Sequence, residues 1–165
     1  MAQQLRAQAR SAAPLLWVER GPSGVGGRTR ALLFDRNDPT GQTVWAGGVA
    51  GGLWKTTQID NPDPQWQHVD DFFDNLAISC LLQHPQHPDT LYFGTGEGWF
   101  NFDAVRGLGI WRSIDGGQSW QQLPSTNQPD FYYVQALAFD TQGRLLVATR
   151  EAGLLRSANG GQSWT

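Results

Sequence analysis

An eight-residue segment, SIDGGQSW at residues 113–120, returns as SANGGQSW at residues 157–164. Six of the eight residues are identical, and the copies begin 44 residues apart. A fixed period of roughly 40–50 residues marks repeat architectures such as propellers. The period extends upstream of each copy. RALLFDRNDP (30–39) aligns with SCLLQHPQHP (79–88) and QALAFDTQG (135–143). TVWAGGVAGGLWKTT (43–57), TLYFGTGEG with GLGIWRSID (90–98, 107–115) and RLLVATREAGLLRSAN (144–159) follow in the same order. A Trp closes each unit: Trp66, Trp120 and Trp164.

Each unit therefore reads as four short strands, a to d. Continuously apolar inner strands fit sheets buried on both faces. Twenty Gly and eight Trp in 165 residues agree with an all-β chain rich in tight turns. Helical periodicity is absent after about Val18. The expected fold is an all-β propeller of four-stranded blades, about three of them present, in an incomplete ring. Residues 1–16 form a tail, loosely helical or unstructured. Residues 17–165 form the partial propeller, with blades near 28–72, 76–126 and 132–165.

The octapeptide is the c–d hairpin. Ser113 and Asp115 carry acceptors for backbone N–H groups of the turn, and Gly116 and Gly117 supply positive φ. Trp120 packs back across the turn. In the second copy Ser157, Asn159, Gly161 and Trp164 take the places of Ser113, Asp115, Gly117 and Trp120. The first unit is degenerate: TTQIDNPDPQW keeps only Thr56 and Trp66.

Several function classes are excluded or disfavoured. Net charge is −3 and the 12 Lys+Arg form no cluster, which argues against a nucleic-acid partner. No apolar run is long enough to span a membrane. One cysteine, Cys80, within ISCLL, rules out an intramolecular disulfide framework and reads as a core residue. No cofactor is expected, and no metal: His84 and His87 of HPQHP read as part of the a–b turn. GPSGVGGR (21–28) lacks the ending and the following helix of a phosphate loop. AAPLLWV (12–18) is too short and too poorly flanked for an export signal.

S-x-D-x-G-x-x-W resembles the Asp-box, or BNR repeat, of sialidases, the sortilin ectodomain and xyloglucan-hydrolysing enzymes. WVERGPSGVGGRTRALLFDRNDP, TLYFGTGEG and GIWRSIDGGQSW together are similar to the N-terminal blades of large secreted bacterial propellers of sortilin-like or glycosyl-hydrolase-like type. The resemblance covers roughly residues 17–165 and implies an extracellular or cell-surface location. It also departs from a sialidase, since no Phe/Tyr-Arg-Ile-Pro tetrapeptide occurs. Three blades are fewer than the four to eight that usually close a ring. The expectation is the N-terminal part of a longer protein whose remaining blades complete it; the alternative is an oligomer that closes the ring. PLLWVERG (14–21) is a candidate closing strand.

In an a–b–c–d meander the c–d turns share a face with the a–b turns, and the b–c and d–a loops lie opposite. The long loops are on that second face: 21–28, 69–75, 96–107 and 125–133. They bring Arg28, Asp70, Asp71, Asp74, Glu97, Trp99, Phe100, Asp103, Arg106, Tyr132, Tyr133, Arg150 and Glu151 to one side. Of these Arg28, Trp99, Asp103, Arg106, Tyr132 and Arg150 are the ligand-face candidates. Rings beside charged groups suit a glycan or a peptide. Glu97 and Glu151 fall at one register of adjacent blades, and are the candidate carboxylate pair if the chain hydrolyses glycosides. The favoured function is glycan or peptide binding on this face. The alternatives are a glycoside hydrolase whose other catalytic groups lie downstream, and a structural scaffold.

Overall fold

A computed structural model of the chain describes residues 18, 28–70, 74–75, 77–100 and 102–165. The tail at 1–16, most of PLLWVERG and GPSGVGGR, and Asp71 lie outside the described residues. The rest is all-β, in three antiparallel sheets that form three blades of a β-propeller.

The first blade orders β1 (Thr29–Phe34), β2 (Val44–Gly48), β3 (Leu53–Thr56) and β4 (Gln67–His68) as a meander. The second repeats this with β5 (Ile78–Gln83), β6 (Leu91–Thr95), β7 (Ile110–Ser113) and β8 (Gln121–Gln122). The third has β9 (Val134–Phe139), β10 (Leu145–Thr149) and β11 (Gly153–Ser157). Beyond it, Thr165 and Arg156 exchange both backbone hydrogen bonds, 2.9 and 2.8 Å.

The register of the repeat is regular. Leu91, Tyr92 and Phe93 pair with Ser113, Arg112 and Trp111. Leu145, Leu146 and Val147 pair with Ser157, Arg156 and Leu155 in the same way. Strand alternation gives each blade a front, toward the preceding blade, and a back, toward the next. Leu91 and Phe93 face forward into a core with Trp45 and Leu53 of the first blade. Tyr92 and Ile110 face back into a second core with Val134, Leu145 and Val147 of the third. The second blade is thus apolar on both faces, which is why its inner strands show no polar alternation.

At two places a glycine on a back meets a bulky residue on the facing front. A side chain on Gly47 would overlap Ile78, and one on Gly94 would overlap Val134. These glycines set how closely adjacent sheets approach. Buried polar groups tie the blades as well. Asp35, 6% exposed, accepts from Nε1 of Trp45 at 3.0 Å and from Nε2 of Gln83, in the second blade, at 2.8 Å.

The octapeptide turns follow one hydrogen-bond scheme. Oγ of Ser113 accepts from Gly117 N–H at 2.9 Å and donates to Oδ1 of Asp115 at 2.7 Å. Oδ1 of Asp115 also accepts from the N–H groups of Gln118 and Ser119. Ser157, Gly161, Asn159, Gln162 and Ser163 repeat the pattern, with Ser157 Oγ donating to Asn159 Oδ1 at 2.9 Å. Gly116, Gly117, Gly160 and Gly161 all have positive φ. Trp120 packs edge-on to Trp45, 6.2 Å between ring centroids, so the turn of one blade closes against the blade before it.

Candidate functional site

The two ends of the sheets divide as the meander requires. At one end, Gly116 N–H donates to the carbonyl of Asp89 at 2.9 Å, joining the c–d turn to the a–b turn. His84 belongs to this end. Its Nδ1 accepts from the N–H groups of Gln86 and His87, both at 3.1 Å. This is the role that Oδ1 of Asp35 plays for Asn37, and Oδ1 of Asp140 for Gln142. Partial desolvation and the neighbouring His87 hold His84 below the usual imidazole value, consistent with an acceptor nitrogen.

At the other end, the 96–107 loop is tied down at its base. Glu97 N–H donates to the carbonyl of Val105, and Gly107 N–H to that of Tyr132, both at 2.8 Å. Oγ1 of Thr95 accepts from Leu108 N–H at 2.8 Å and donates to the carbonyl of Gly109 at 2.7 Å. Nδ2 of Asn75 donates to the carbonyl of Arg106 at 2.7 Å. The b–c loop therefore stands on the adjoining d–a segments. The second d–a link is itself ordered by two short 3-10 turns, Pro124–Thr126 and Pro129–Phe131. Phe131 beneath them is 1% exposed and packs with Trp164.

The charged groups of this end are organised around rings. Glu97 is 5% exposed; Nη2 of Arg28 donates to it at 2.6 Å, and Nη2 of Arg30 lies 3.8 Å away. Arg30 also stands over the Trp99 ring, 5.2 Å from its centroid. Arg106 stacks on Tyr132 at 4.1 Å. Arg150 lies over Tyr133 at 3.6 Å and Phe100 at 4.8 Å, while its Nε and Nη2 hold Glu151 at 2.8 and 2.5 Å. That pairing raises Arg150 above the ordinary guanidinium value, keeping it charged. Such stacks fix guanidinium planes that are otherwise mobile.

The structure brings eight sequence-derived candidates, Arg28, Glu97, Phe100, Arg106, Tyr132, Tyr133, Arg150 and Glu151, into direct contact with one another. Trp99 and Phe100 remain solvent-facing, 61% and 82% exposed. Asp103 is exposed on the same loop. Glu97 and Glu151 each carry an arginine of their own, so neither is a bare carboxylate. Three features were not legible in the sequence: the burial of Glu97, the pairing of each arginine with its ring, and the positive φ of Phe100, 59°. The nearest signal was the interleaving of Arg with Trp, Phe and Tyr.

Between the first two blades lies a small open cleft lined by Arg30, Val49, Ala77, Ile78, Ser79, Gly96 and Glu97. Among the described residues, no group of three or more His, Cys, Asp or Glu is placed to hold a metal ion. No described helix is long and apolar enough to cross a membrane.

No family model matches the chain, and no curated protein does. Solved structures do. An ancestral GH74 enzyme superposes with a TM-score of 0.66 at 21% identity, over 83% of this chain and 18% of that one. The GH74 xyloglucanase from Xanthomonas campestris gives 0.59 at 25% identity, over 85% and 20%. YCF48 bound to D1 peptide gives 0.57 at 17% identity, over 84% and 40%. The chain spans about a fifth of the length of the two GH74 structures. These likenesses define a β-propeller architecture shared by glycoside hydrolases and by other propeller proteins.

Proposed function

We propose that these blades belong to an extracellular Asp-box propeller that binds a glycan, or failing that a peptide, on the face opposite its octapeptide turns. One observation carries the reading: the exposed rings Trp99 and Phe100 stack with Arg30 and Arg150 on the loop face that also carries the Arg106–Tyr132 and Arg150–Tyr133 stacks. Exposed rings offer apolar planes to sugar faces, and fixed guanidinium groups offer donors to hydroxyls or carboxylates. The extracellular location rests on the Asp-box resemblance of GIWRSIDGGQSW. The test is a glycan array and a peptide library, screened with the chain and with Trp99→Ala. Binding that Trp99→Ala abolishes supports the reading. No binding to either library sinks it, and so does binding that the substitution leaves unchanged.

A second reading, hydrolysis of a glycoside, is favoured by the likeness to the 25%-identical xyloglucanase. The arginine-held carboxylates of Glu97 and Glu151 suit ligand positioning better than proton transfer. In this reading the proton-transferring groups belong to other blades. Release of reducing sugar from xyloglucan by a protein that joins these blades to the others, slowed by Glu97→Gln, would favour the hydrolase.

A further inference from the structure

The two oxygens of the buried Glu97 carboxylate have different surroundings. Oε1 accepts from Nη2 of Arg28 at 2.6 Å and lies 3.8 Å from Nη2 of Arg30. Oε2 accepts no hydrogen bond among the described residues. A carboxylate oxygen sealed in this condition is costly. Oε2 is not sealed: it opens toward the cleft between the first two blades, which Glu97 and Arg30 line. The 3.8 Å separation is an ion pair and too long for a hydrogen bond. Arg30 therefore donates no hydrogen bond among the described residues, while Trp99 holds its guanidinium in place, 5.2 Å from the ring centroid. Val49, Ala77 and Ile78 supply apolar walls.

The cleft thus offers a charged acceptor beside a charged donor, and a group that fills it must serve both. A hydroxyl donates and accepts. An ionised carboxylate only accepts, and meets Oε2 as a like charge. An ammonium only donates, and meets the guanidinium groups of Arg28 and Arg30. We propose that this cleft orients an uncharged sugar, with a hydroxyl held between Oε2 of Glu97 and the guanidinium of Arg30. Trp99 is 61% exposed, and the part of its ring that Arg30 leaves uncovered takes the apolar face of the same sugar. The proposal rests on the ligand reading above and narrows it to neutral glycans, against acidic glycans and peptide termini.

The test is a glycan array divided into neutral and acidic members, probed with the chain and with Trp99→Ala. Binding to neutral members, lost in Trp99→Ala, is expected. The neutral glycan bound most tightly is then titrated against Glu97→Gln and Arg30→Met, with melting temperatures taken alongside. Glu97→Gln exchanges a charged acceptor for a neutral one of the same shape and weakens binding about tenfold. Arg30→Met leaves the Arg28–Glu97 pair in place, removes the donor and also weakens binding about tenfold. The ligand side needs no variant: one monodeoxy analogue of that glycan binds the parent chain about tenfold more weakly, with little further loss in Glu97→Gln. A preference for acidic members overturns the proposal. So does unchanged affinity in both Glu97→Gln and Arg30→Met, or full affinity of every monodeoxy analogue. Those outcomes leave the ligand face standing when Trp99→Ala still abolishes binding. Absence of any glycan binding overturns the subsite; the ligand reading falls with it only when the peptide library is silent too or Trp99→Ala changes nothing.

Discussion

The indole of Trp45, in the first blade, lies against the Cα of Gly117, in the octapeptide turn of the second. Gly117 has φ of +83°. Two requirements thus converge on one residue: left-handed backbone and room for a neighbouring ring. Gly143 has φ of +76° but nothing within 4 Å of an added Cβ. Gly143→Ala therefore reports backbone strain alone, about 1 kcal/mol. Gly117→Ala adds overpacking of Trp45 and costs about 2–4 kcal/mol. Urea unfolding of both variants checks this. Equal losses would mean that the Trp45 contact contributes nothing.

Asp35 gathers three donors within one buried carboxylate: Asn37 N–H, Trp45 Nε1 and Gln83 Nε2. The last of these crosses between blades. Asp35→Ala leaves the indole N–H and the Gln83 amide without their acceptor, at about 2–4 kcal/mol. Trp45→Phe removes one of those donors together with some packing. In a double-mutant cycle the two losses are expected to fall short of additivity by about 1 kcal/mol or more. Strict additivity would show that the Asp35–Trp45 bond is not energetically coupled.

The repeat was legible because it is backbone physics. Glycine pairs, closing tryptophans and Ser/Asp acceptors each answer a local need of a hairpin, so they mark the second and third blades, while the first keeps only its Thr and closing Trp. The loop face was legible only as a collection. Topology alone, applied to the repeat, brought Glu97, Arg106, Tyr132 and Arg150 to one side. Which arginine lies on which ring depends on loop conformations that have no period. The Arg28–Glu97 pair joins residues 69 positions apart, and no local pattern announces it. The matching register of Glu97 and Glu151 was visible, whereas the separate arginine that each carboxylate takes up was not. His84 shows the opposite case. Its alignment with Asp35 and Asp140 placed it in the a–b turn, where Nδ1 accepts as their Oδ1 atoms do.

The two octapeptides differ in charge and so in response to acid. Asp115 accepts from Oγ and N–H of Ser119, from Oγ of Ser113 and from Gln118 N–H. These bonds, those of Ser119 foremost, lower its carboxyl to about 2. An unfolded Asp titrates near 3.9. The folded value is the lower one, so the stabilisation is complete above about pH 4 and is lost as pH falls toward about 2. Asn159 makes the corresponding bonds with no titrating group. Asp115→Asn is therefore expected to narrow the gap between the melting temperatures at pH 7 and pH 3. Part of the gap persists, because hydrogen bonds from Thr40 and Thr43 lower Asp38, and those from Arg144 lower Asp140. An unchanged gap in Asp115→Asn would show that this carboxylate does not contribute to acid sensitivity.

Phe100 combines strain with exposure. Its φ of 59° is a conformation that non-glycine side chains adopt at a cost of about 1–2 kcal/mol. Its ring is 82% exposed and shields one side of Arg150. A chain that gained nothing from this ring would be more stable with glycine in its place. Phe100→Gly is thus expected to leave the melting temperature unchanged or raise it by a few degrees. The same substitution removes one ring of the proposed ligand face and one wall of the Arg150 stack, so, if that proposal holds, affinity for a ligand of the face falls about tenfold or more. Calorimetry and binding on the same variant separate the two effects. Destabilisation with unaltered affinity would assign Phe100 to the fold instead of the face.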